Sequence, residues 1–514
     1  MMLSCEVYDY DSKLICVQFM KILFLSMPDV APIIIHEAAI HMPNLGIASI
    51  AGNIDVDHQV RIADLIRKRR GTRKYVARLL ANFQPDVVGL SAMAWQYDTC
   101  TRIIRLIKQL RPKTKIVIGG YHATLMSQEV AESPEAEDID FMVRGEGEEA
   151  CRRLVNALDG RDQVEDIPNL SYKAGEAFVH NPPGELLDLS SLKLPVRDKR
   201  RLTWGYHVMY NKIEVMETSR GCTRNCSFCS MREMYGRSFR TFPIDRVLQD
   251  LDTIYYTKKT RWVFIVDDNM VLDPKRVIEL CEAIIARQYK GLHLVIQADC
   301  RTMAKEEKMV EKMAQAGCTS VFLGIENVSE NTLKQAGKTG SATISKQAVD
   351  MCHKYGMMVV GGLIIGFPDD DEQAIVDNFQ FIRDIDVDGV YSQFLTPYPK
   401  TALRRRLLDE GLVSNVHEYK WYNGMWANVG TRHLSPEQLQ YLFWYHKINV
   451  LGWWDPSKMA RKDGKLWTGI WRYGMKPILQ RLEKRKVQKI GWDGLYRQAL
   501  RDCRQMNSFP DLEA

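Results

Sequence analysis

The 514-residue sequence predicts an α/β protein with two successive regions of alternating strands and helices and a helical C-terminal region. Two observations predict this fold class. Short apolar runs alternate with helical patterns from Met20 to about residue 158, and they alternate again, with a longer period, from Ile213 to about Leu403. With 46% hydrophobic residues, the chain is long enough to bury the cores of two or three domains.

The composition narrows the class of protein. No apolar run reaches the roughly 18 residues that cross a bilayer, and the N-terminus has no signal-sequence pattern. Nine of the twelve cysteines are scattered without a disulfide framework, which is typical of a reducing compartment. We therefore expect a soluble cytoplasmic protein, and the mild net charge of +6 without a recognition motif argues against nucleic-acid binding.

The first alternating region is expected at residues 20–158, after an N-terminal extension over residues 1–19 that lacks a clear pattern and raises the question of start-site choice. The alternation predicts a parallel, doubly wound sheet, whose ligands bind beyond the carboxyl ends of the strands. Helical patterns cover Thr72–Asn82 and Thr99–Leu110. The predicted strands are Lys21–Leu25, Val60–Ala63, Val87–Ser91, Lys115–Ile118 and Asp140–Val143.

Small or flexible residues follow three of these strands. They are Leu45 and Gly46 in the Pro43–Gly46 turn, Ser91 after the third strand, and the Gly119–Gly120 pair after the fourth. Glycine at a strand end lets a bulky ligand approach the backbone. Each segment taken alone is also typical of a plain loop. Residues 159–212 carry helix breakers such as Pro168 and Pro195, and we expect a linker with a small hairpin.

The second region, residues 213–403, contains six strand candidates, which predict a partial (β/α)6 barrel with its chemistry at the C-terminal strand ends. Polar residues accumulate at those ends. Capping the N-terminus of a helix is the alternative role for each of these acids, because Asp is favoured there. For Asp299 the capping role and a functional role are equally supported. The strand candidates are Ile213–Thr218, Arg261–Val266, His293–Ala298, Ser320–Gly324, Met358–Ile365 and Gly389–Leu395, and the polar residues include Asp267, Asp268, Gln297, Asp299, Arg301 and Glu326.

The strongest chemical signal is a C-x3-C-x2-C motif formed by Cys222, Cys226 and Cys229. Three thiolates at this spacing can bind three irons of a [4Fe–4S] cluster and leave the fourth iron open to another ligand. Zinc is a weaker alternative because structural zinc sites take four nitrogen or sulfur ligands, and no second Cys or His cluster follows. Chance spacing of unrelated cysteines is the remaining alternative.

The motif follows a β-like run and carries Phe228 directly before its third cysteine. In this it resembles the cluster loop of the radical S-adenosylmethionine (SAM) superfamily, in which the methionyl end of SAM binds the open iron. The resemblance implies metal-binding and catalytic roles for the three cysteines. It also implies SAM contacts at Asp267 and Asp268 (ammonium), Glu326 (ribose or amino group), Gly362 and Ile364 of Gly362–Gly366 (adenine), the Phe228 backbone (adenine edge) and Arg301 (carboxylate).

The small-residue strand ends, followed by Arg144–Glu148 and joined to such a loop, resemble the Rossmann-like, flavodoxin-type cobalamin-binding domain of class B radical SAM enzymes. By this resemblance Ser91, Gly119 and Gly120 cradle the nucleotide tail, while Leu45 and Gly46 flank the corrin. The D-x-H-x-x-G pattern that supplies a histidine to cobalt is absent. We expect cobalt without a histidine ligand, His58 as a solvated loop or strand-edge residue, and His122 as a weak ligand candidate.

The C-terminal region, residues 404–514, is predicted to be a helical cap. Ser435–Gln438 is a helix N-terminal signature, with Ser as cap, Pro in the first turn and Gln three residues on. The segment that follows is rich in aromatic residues, including Trp453–Trp454, and then becomes basic. We expect its aromatics to close the barrel mouth, and peripheral contact with an anionic membrane surface is the alternative.

The resemblance implies an enzyme that cleaves SAM to a 5′-deoxyadenosyl radical with electrons from a donor such as ferredoxin or flavodoxin. Cobalamin-dependent methylation of an unactivated carbon is the expected outcome, and a large apolar molecule such as a lipid or tetrapyrrole is the expected substrate. Alternatives are a non-methylating member, such as an oxidative cyclase or a ring-rearranging enzyme, and a radical SAM enzyme that no longer binds cobalamin. A sensor with a structural cluster is a further, less supported alternative.

Overall fold

A computed structural model describes residues 19–30, 40–208, 211–451 and 476–512. The chain forms two compact units. The first comprises the described residues up to Val30, His41–Tyr206 and the residues from Phe509 onward. The second comprises the described residues between His207 and Ser508 together with Ile40. The extension predicted at residues 1–19 lies outside the described residues except for Phe19.

The first unit contains a sheet with the order β3-β1-β4-β5-β6-β7-β8. Its first five strands are parallel, as predicted, and β7 and β8 extend the sheet as an antiparallel hairpin. The strands numbered along this part of the chain are β1 (Lys21–Ser26), β2 (Ile40–His41, outside this sheet), β3 (Gln59–Asp64), β4 (Val87–Ser91), β5 (Lys115–Gly119), β6 (Phe141–Val143), β7 (Leu170–Ala174) and β8 (Ala177–His180).

Helices cover the sheet because their apolar faces meet the strands' continuous apolar runs. One core cluster joins Phe24 and Ile62 of the sheet to Ile47, Ala51 and Leu154 of the covering helices. The helices of this unit are α1 (Leu45–Asn53), α2 (Thr72–Phe83), α3 (Tyr97–Leu110), α4 (Tyr121–Leu125), α5 (Ser127–Ala131) and α6 (Gly147–Leu158).

The second unit contains six parallel strands in the order β17-β16-β15-β14-β13-β10, with the short antiparallel strand β9 beside β10. This sheet is the predicted partial barrel, so the predicted α/β fold class is confirmed. A small hairpin, β11–β12, follows β10. The strands are β9 (His207–Val208), β10 (Asn211–Met216), β11 (Ser219–Arg220), β12 (Arg240–Thr241), β13 (Trp262–Ile265), β14 (His293–Asp299), β15 (Cys318–Glu326), β16 (Met358–Ile365) and β17 (Gly389–Phe394).

Helices follow the barrel strands on the outside of the sheet. Asp273, Ser329, Ser341, Asp371 and Thr401 begin five of them by accepting hydrogen bonds from first-turn amides. The helices are α7 (Met231–Tyr235), α8 (Ile244–Asp252), α9 (Pro274–Ala286), α10 (Cys300–Lys305), α11 (Glu307–Gln315), α12 (Glu330–Gln335), α13 (Ala342–Lys354), α14 (Glu372–Asp384) and α15 (Ala402–Asp409).

Burial alternates along the barrel strands. In β14, for example, Leu294, Ile296 and Ala298 are buried, whereas Val295 and Gln297 are partly exposed. The same alternation occurs in β13 and in most of β15. One face of the sheet therefore packs on the helices, and the opposite face lines a lumen.

The helical C-terminal region is confirmed. Its described helices are α16 (Pro436–Leu451) and α17 (Lys476–Met506), which is kinked at Gly491. The predicted N-terminal signature of α16 forms a capping box: Gln438 N donates to Ser435 Oγ at 3.3 Å, and Ser435 N donates to Gln438 Oε1 at 2.9 Å.

Part of the aromatic segment packs on the edge of the barrel. Phe443 is buried against Phe379 of α14 and Phe394 of β17, with ring centroids 6.2 and 4.0 Å away. Trp453 and Trp454, which the sequence analysis assigned to the cap, lie outside the described residues. No helix in the described parts of the chain is long and apolar enough to cross a membrane.

Candidate cluster and cofactor sites

The cysteine motif lies in the loop between β11 and α7. Cys222, Cys226 and Cys229 are partly exposed and carry no disulfide. Burial, with a smaller contribution from the neighbouring thiols, raises the pKa of Cys226 to about 11 and that of Cys229 to about 12. Three closely spaced free thiols fit a cluster site, since metal binding displaces their protons and removes the mutual repulsion.

A turn after α12 holds the cluster loop in place. Ser227 N donates to Ala336 O at 2.8 Å, and Leu403 N donates to Ser227 O at 3.0 Å. Gly337 adopts a φ of 69°, and a Cβ atom there would lie 2.3 Å from Asn225 O. The turn therefore packs against both neighbours of Cys226, and only glycine fits this approach.

Lys338 completes this turn, and the sequence analysis missed it. Its Nζ atom donates to Glu326 Oε1 at 2.7 Å and to Gly324 O at 2.8 Å. Its charge also works against burial to lower the pKa of Cys226. The sequence signal was a glycine directly after the helical pattern of α12, followed by a lysine within reach of the β15 end.

The two predicted acids after β13 have different surroundings. Asp267 is 1% exposed, and its carboxylate accepts hydrogen bonds from Thr218 N at 2.6 Å, Thr218 Oγ1 at 2.5 Å and Ser219 Oγ at 2.6 Å. Asp268 is partly exposed and accepts from Gly221 N at 2.9 Å. Burial, together with the charge of Asp267, raises the pKa of Asp268 to about 6. Asp267 therefore ties the cluster loop to its strand, while Asp268 lies nearer to solvent.

Asp299 forms the N-cap of α10. It accepts from Thr302 N, from Arg224 Nη2 and from Asn269 Nδ2, each at 3.0 Å. Burial acts to raise its pKa, but these hydrogen bonds and the Arg224 charge outweigh burial and hold the pKa below its usual range. The capping role weighed for Asp299 is confirmed. Arg301 lies on the same helix and is exposed.

The predicted adenine segment belongs to β16. Ile364 is 3% exposed and packs in an apolar cluster with Phe367 and Leu395, against which Phe228 also packs. Phe228 and Phe367 meet edge to face, with ring centroids 6.3 Å apart. A Cβ atom on Gly362 would lie 2.7 Å from the Phe322 ring. Glycine therefore leaves room for that ring on the lumen face of the sheet.

In the first unit, β4 and β5 end side by side with Ser91 paired to Gly119. Gly120 has a φ of 89°, and a Cβ atom there would lie 2.8 Å from Ala92 O and 3.1 Å from Ser91 Oγ. Glycine at position 120 therefore allows the end of β5 to pack closely on the end of β4. The two glycines present a cradle of backbone at the carboxyl edge of the sheet, which fits a bulky cofactor approaching the sheet.

The Pro43–Gly46 segment is not the turn that the sequence analysis expected. Asn44 caps α1 by accepting from Ile47 N at 3.0 Å, so Leu45 and Gly46 are the first residues of that helix. Asn44 N also donates to Asp64 Oδ2 at 3.0 Å, at the carboxyl end of β3. The expectation of a turn missed the capping potential of asparagine before a helical run.

His58 lies in the loop directly before β3, as predicted, but the prediction that it is solvated was wrong. Its side chain is buried: Nδ1 accepts from Met20 N at 3.3 Å, and Nε2 lies 3.6 Å from Asp159. The spacing could not reveal this, because Asp159 is about one hundred residues away in the chain. His122 is also buried, and its ring stacks on Tyr97 with centroids 3.9 Å apart.

Comparisons with known proteins agree with the two units. Residues 31–155 match the B12 binding domain family, and residues 216–382 match the radical SAM superfamily. The chain is 30% identical to an uncharacterised methyltransferase of Pyrococcus horikoshii, over 84% of this chain and 94% of that protein. It is 26% identical to the hopanoid C-3 methylase of Methylococcus capsulatus, over 79% and 76% of the two chains.

A third relative is the anaerobic magnesium-protoporphyrin IX monomethyl ester cyclase of Rubrivivax gelatinosus, 26% identical over 67% of this chain and 62% of that one. The fold is similar to that of OxsB with aqua-cobalamin and SAM bound, with a TM-score of 0.69 and 17% identity over 98% and 79% of the chains. It is also similar to TsrM of Kitasatospora setae with cobalamin and a [4Fe–4S] cluster bound, with a TM-score of 0.64 and 17% identity over 83% and 82%.

A parallel-sheet unit with a glycine cradle and a partial barrel with a three-cysteine loop define the class of a radical SAM enzyme with a B12-binding domain. The chain belongs to the cobalamin-dependent radical SAM family, which includes methyltransferases and the magnesium-protoporphyrin cyclase group. Cobalamin, SAM and a [4Fe–4S] cluster, the cofactors predicted from the sequence, are the cofactors of this family.

Proposed function

We propose that this enzyme methylates an unactivated carbon of a large, predominantly apolar substrate, such as a lipid or a tetrapyrrole. The observation that carries the proposal is the lumen face of the barrel. Phe264, Val295 and Phe322 on three successive strands, with Tyr391 beyond them, are partly exposed there, and polar Gln297 lies level with Phe322. An apolar lumen stabilises an apolar substrate and excludes water from reactive species.

Bound together, the cluster, SAM and cobalamin supply reductive SAM cleavage, hydrogen abstraction and methyl donation. In this proposal Cys222, Cys226 and Cys229 are the cluster ligands. Asp267 positions their loop through Thr218 and Ser219 instead of contacting SAM itself. The residues proposed to bind SAM are Phe228, Asp268, Arg301, Glu326, Gly362 and Ile364.

The cobalamin residues are proposed to act mainly through shape. Gly119 and Gly120 leave room for the nucleotide tail, and Ser91 offers a hydroxyl at the same strand end. Leu45 and Gly46 present the first turn of α1 to the corrin. Backbone amides at a helix start favour polar or anionic groups, which agrees with the amide-rich periphery of a corrin.

We propose domain limits of residues 20–158 for the cobalamin domain, 213–403 for the barrel and 404–514 for the cap, with a linker between the first two. The hairpin β7–β8 lies within this linker and pairs with β6, so the linker extends the sheet of the first unit. We also propose a cytoplasmic enzyme reduced by a ferredoxin or flavodoxin, since cluster reduction needs a low-potential donor. Peripheral membrane contact would bring a lipid substrate within reach.

The test is anaerobic turnover of reconstituted protein with SAM that carries a deuterated methyl group. Methylation gives 5′-deoxyadenosine and S-adenosylhomocysteine together, and it transfers the label to a hopanoid-like lipid or a porphyrin offered as substrate. Formation of 5′-deoxyadenosine without S-adenosylhomocysteine would overturn methyl transfer and favour the cyclase type of reaction.

A separate variant tests the assignment of the cluster ligands. Cys226→Ala should lose iron and SAM cleavage because the cluster loses one of three protein ligands. Cys281→Ala is the matched control, since Cys281 is buried on α9 outside the cluster loop. Equal iron content in the two variants would contradict the assignment.

A further inference from the structure

A cavity of about 350 Å³ in the first unit lies apart from the strand ends discussed above. It is lined by residues 58–61 at the start of β3, by Phe83 at the end of α2 and by residues 198–201. The proposed cobalamin residues lie at the carboxyl ends of β4 and β5 and at the start of α1. This cavity lies at the opposite, amino-terminal end of β3, so it does not belong to that site.

The segment at residues 198–201 runs along the open edge of β3. Ile62 N donates to Lys199 O at 3.0 Å, and Arg201 N donates to Ile62 O at 2.9 Å. A parallel bridge joins Ile62 to Arg200. Because side chains alternate along extended chains, Arg200 shares a face with Ile62, whereas Lys199 and Arg201 share the opposite face with Arg61.

Arg200 interacts with residues on its own face of the segment. Its guanidinium lies 5.6 Å from the Tyr206 ring centroid, and its charge acts on the buried carboxylate of Asp64. Three cationic side chains lie on the opposite face. Within the described parts of the chain, Arg61, Lys199 and Arg201 form no ion pair with a carboxylate.

Arg61 is the partly buried member of this cationic face, whereas Lys199 and Arg201 are exposed. Arg61 lies 4.1 Å above the centroid of the Phe83 ring, which fixes its guanidinium plane against α2. Burial lowers the pKa of Arg61, and the like charge of Arg201 lowers it further. Asp198 is the one carboxylate in the cavity lining, and it forms no ion pair with these three side chains. Like charges held close together cost free energy, which a bound anion would recover.

We propose that this cavity binds a small phosphate-bearing ligand, with Arg61, Lys199 and Arg201 as its anion-binding side chains. Guanidinium groups match phosphate oxygens in pairs, and lysine adds a point charge. The volume exceeds that of a single phosphate and falls in the range of small-ligand sites. A pyrophosphate or a nucleoside diphosphate therefore fits the cavity better than inorganic phosphate.

The test is calorimetric titration of the cofactor-loaded protein with inorganic phosphate, pyrophosphate, ADP and adenosine at low and moderate salt. Wild type is expected to bind pyrophosphate and ADP saturably and to lose affinity as salt rises, with no binding of adenosine. Tighter binding of ADP than of pyrophosphate identifies a nucleotide as the ligand. Equal binding identifies the phosphate group alone as the recognised chemistry.

The double variant Arg61→Gln/Arg201→Gln should weaken binding by about tenfold or more for each cation removed. The matched control is Lys74→Gln/Arg78→Gln, which removes two exposed cations of α2 outside the cavity lining. Retained corrin in both variants establishes that the first unit is folded. Absence of saturable binding by the wild type, or equal weakening in the two variants, would overturn the proposal.

Discussion

The charge of Lys338 is expected to change the midpoint potential of the proposed iron–sulfur cluster. Its ammonium lies against Glu326 and Gly324 and acts on Cys226, one of the three proposed cluster ligands. A cation beside an iron–sulfur cluster stabilises the reduced, more negative state. Lys338→Met should therefore lower the cluster midpoint potential by on the order of tens of millivolts.

Redox titration followed by electron paramagnetic resonance measures this shift. Lys334→Met is the matched control because Lys334 is exposed on α12, four residues earlier. Lys338→Arg keeps the charge and should keep most of the potential. Equal potentials in the two methionine variants would show that Lys338 does not act on the cluster.

His122 makes the first unit sensitive to acid. Burial lowers its pKa to about 3, so the folded protein keeps the ring neutral where an unfolded chain, with a pKa near 6.5, takes up a proton. More protons are bound in the unfolded state between these values, and stability therefore falls as pH decreases from about 6.5 towards 3. The slope is about 1.4 kcal/mol per pH unit.

His122→Phe should remove this dependence and keep the stack on Tyr97. Between pH 7 and pH 5, the wild type should lose about 2 kcal/mol more of its free energy of unfolding than the variant. Urea denaturation at the two pH values measures the difference. His433→Phe changes an exposed histidine and should leave the dependence as it is in the wild type. An identical pH dependence of H122F and wild type would contradict this account.

At the scale of elements, the end of β5 is the most specific feature of the first unit. Gly120→Ala adds a Cβ atom that meets Ala92 O at 2.8 Å, at a φ of 89°. Gly160 has nearly the same φ, 88°, but nothing lies within 4 Å of its missing Cβ atom. Both substitutions carry the same backbone strain, and only the first alters the proposed cradle.

We therefore expect Gly120→Ala to purify with little corrin and Gly160→Ala with a normal amount. Both variants should keep their iron, because the cysteine loop belongs to the other unit. Cobalt and iron analysis of the purified proteins measures both quantities. A full complement of corrin in Gly120→Ala would move the cofactor away from this strand end.

The elements also show what the sequence could and could not predict. Strand runs such as Val87–Ser91 and the capping box at Ser435 were predictable because their signals are local. The burial of His58 depends on Asp159, and the fixing of Cys226 depends on Ala336–Lys338, both about one hundred residues distant in the chain. Local sequence patterns carry no information about contacts between such distant residues. The contacts that hold the site residues in place could therefore be identified only from the structure.

At the scale of the whole molecule, the chain returns to its first unit at the very end. Helix α17 belongs to the second unit up to Met506, whereas the residues from Phe509 onward belong to the first. Phe509 and Leu512 are buried, and Asp511 Oδ2 accepts from Arg73 N at 3.0 Å in the first turn of α2. Gly71, the residue before that helix, has no side chain to cap it, so Asp511 supplies the cap from the far end of the sequence.

Ending the chain after Ser508 should therefore destabilise the first unit without altering its own sequence. Loss of the cap costs about 1 kcal/mol, and loss of each buried apolar side chain costs about 1.5–3 kcal/mol. Shortening the chain should speed hydrogen exchange in the first turns of α2 more than in β14, which belongs to the other unit. Asp511→Ala should reproduce only the smaller, capping part of this effect. If α2 exchanged equally in the full-length and shortened chains, the tail would have no stabilising role, and the return of the chain would be a matter of connectivity alone.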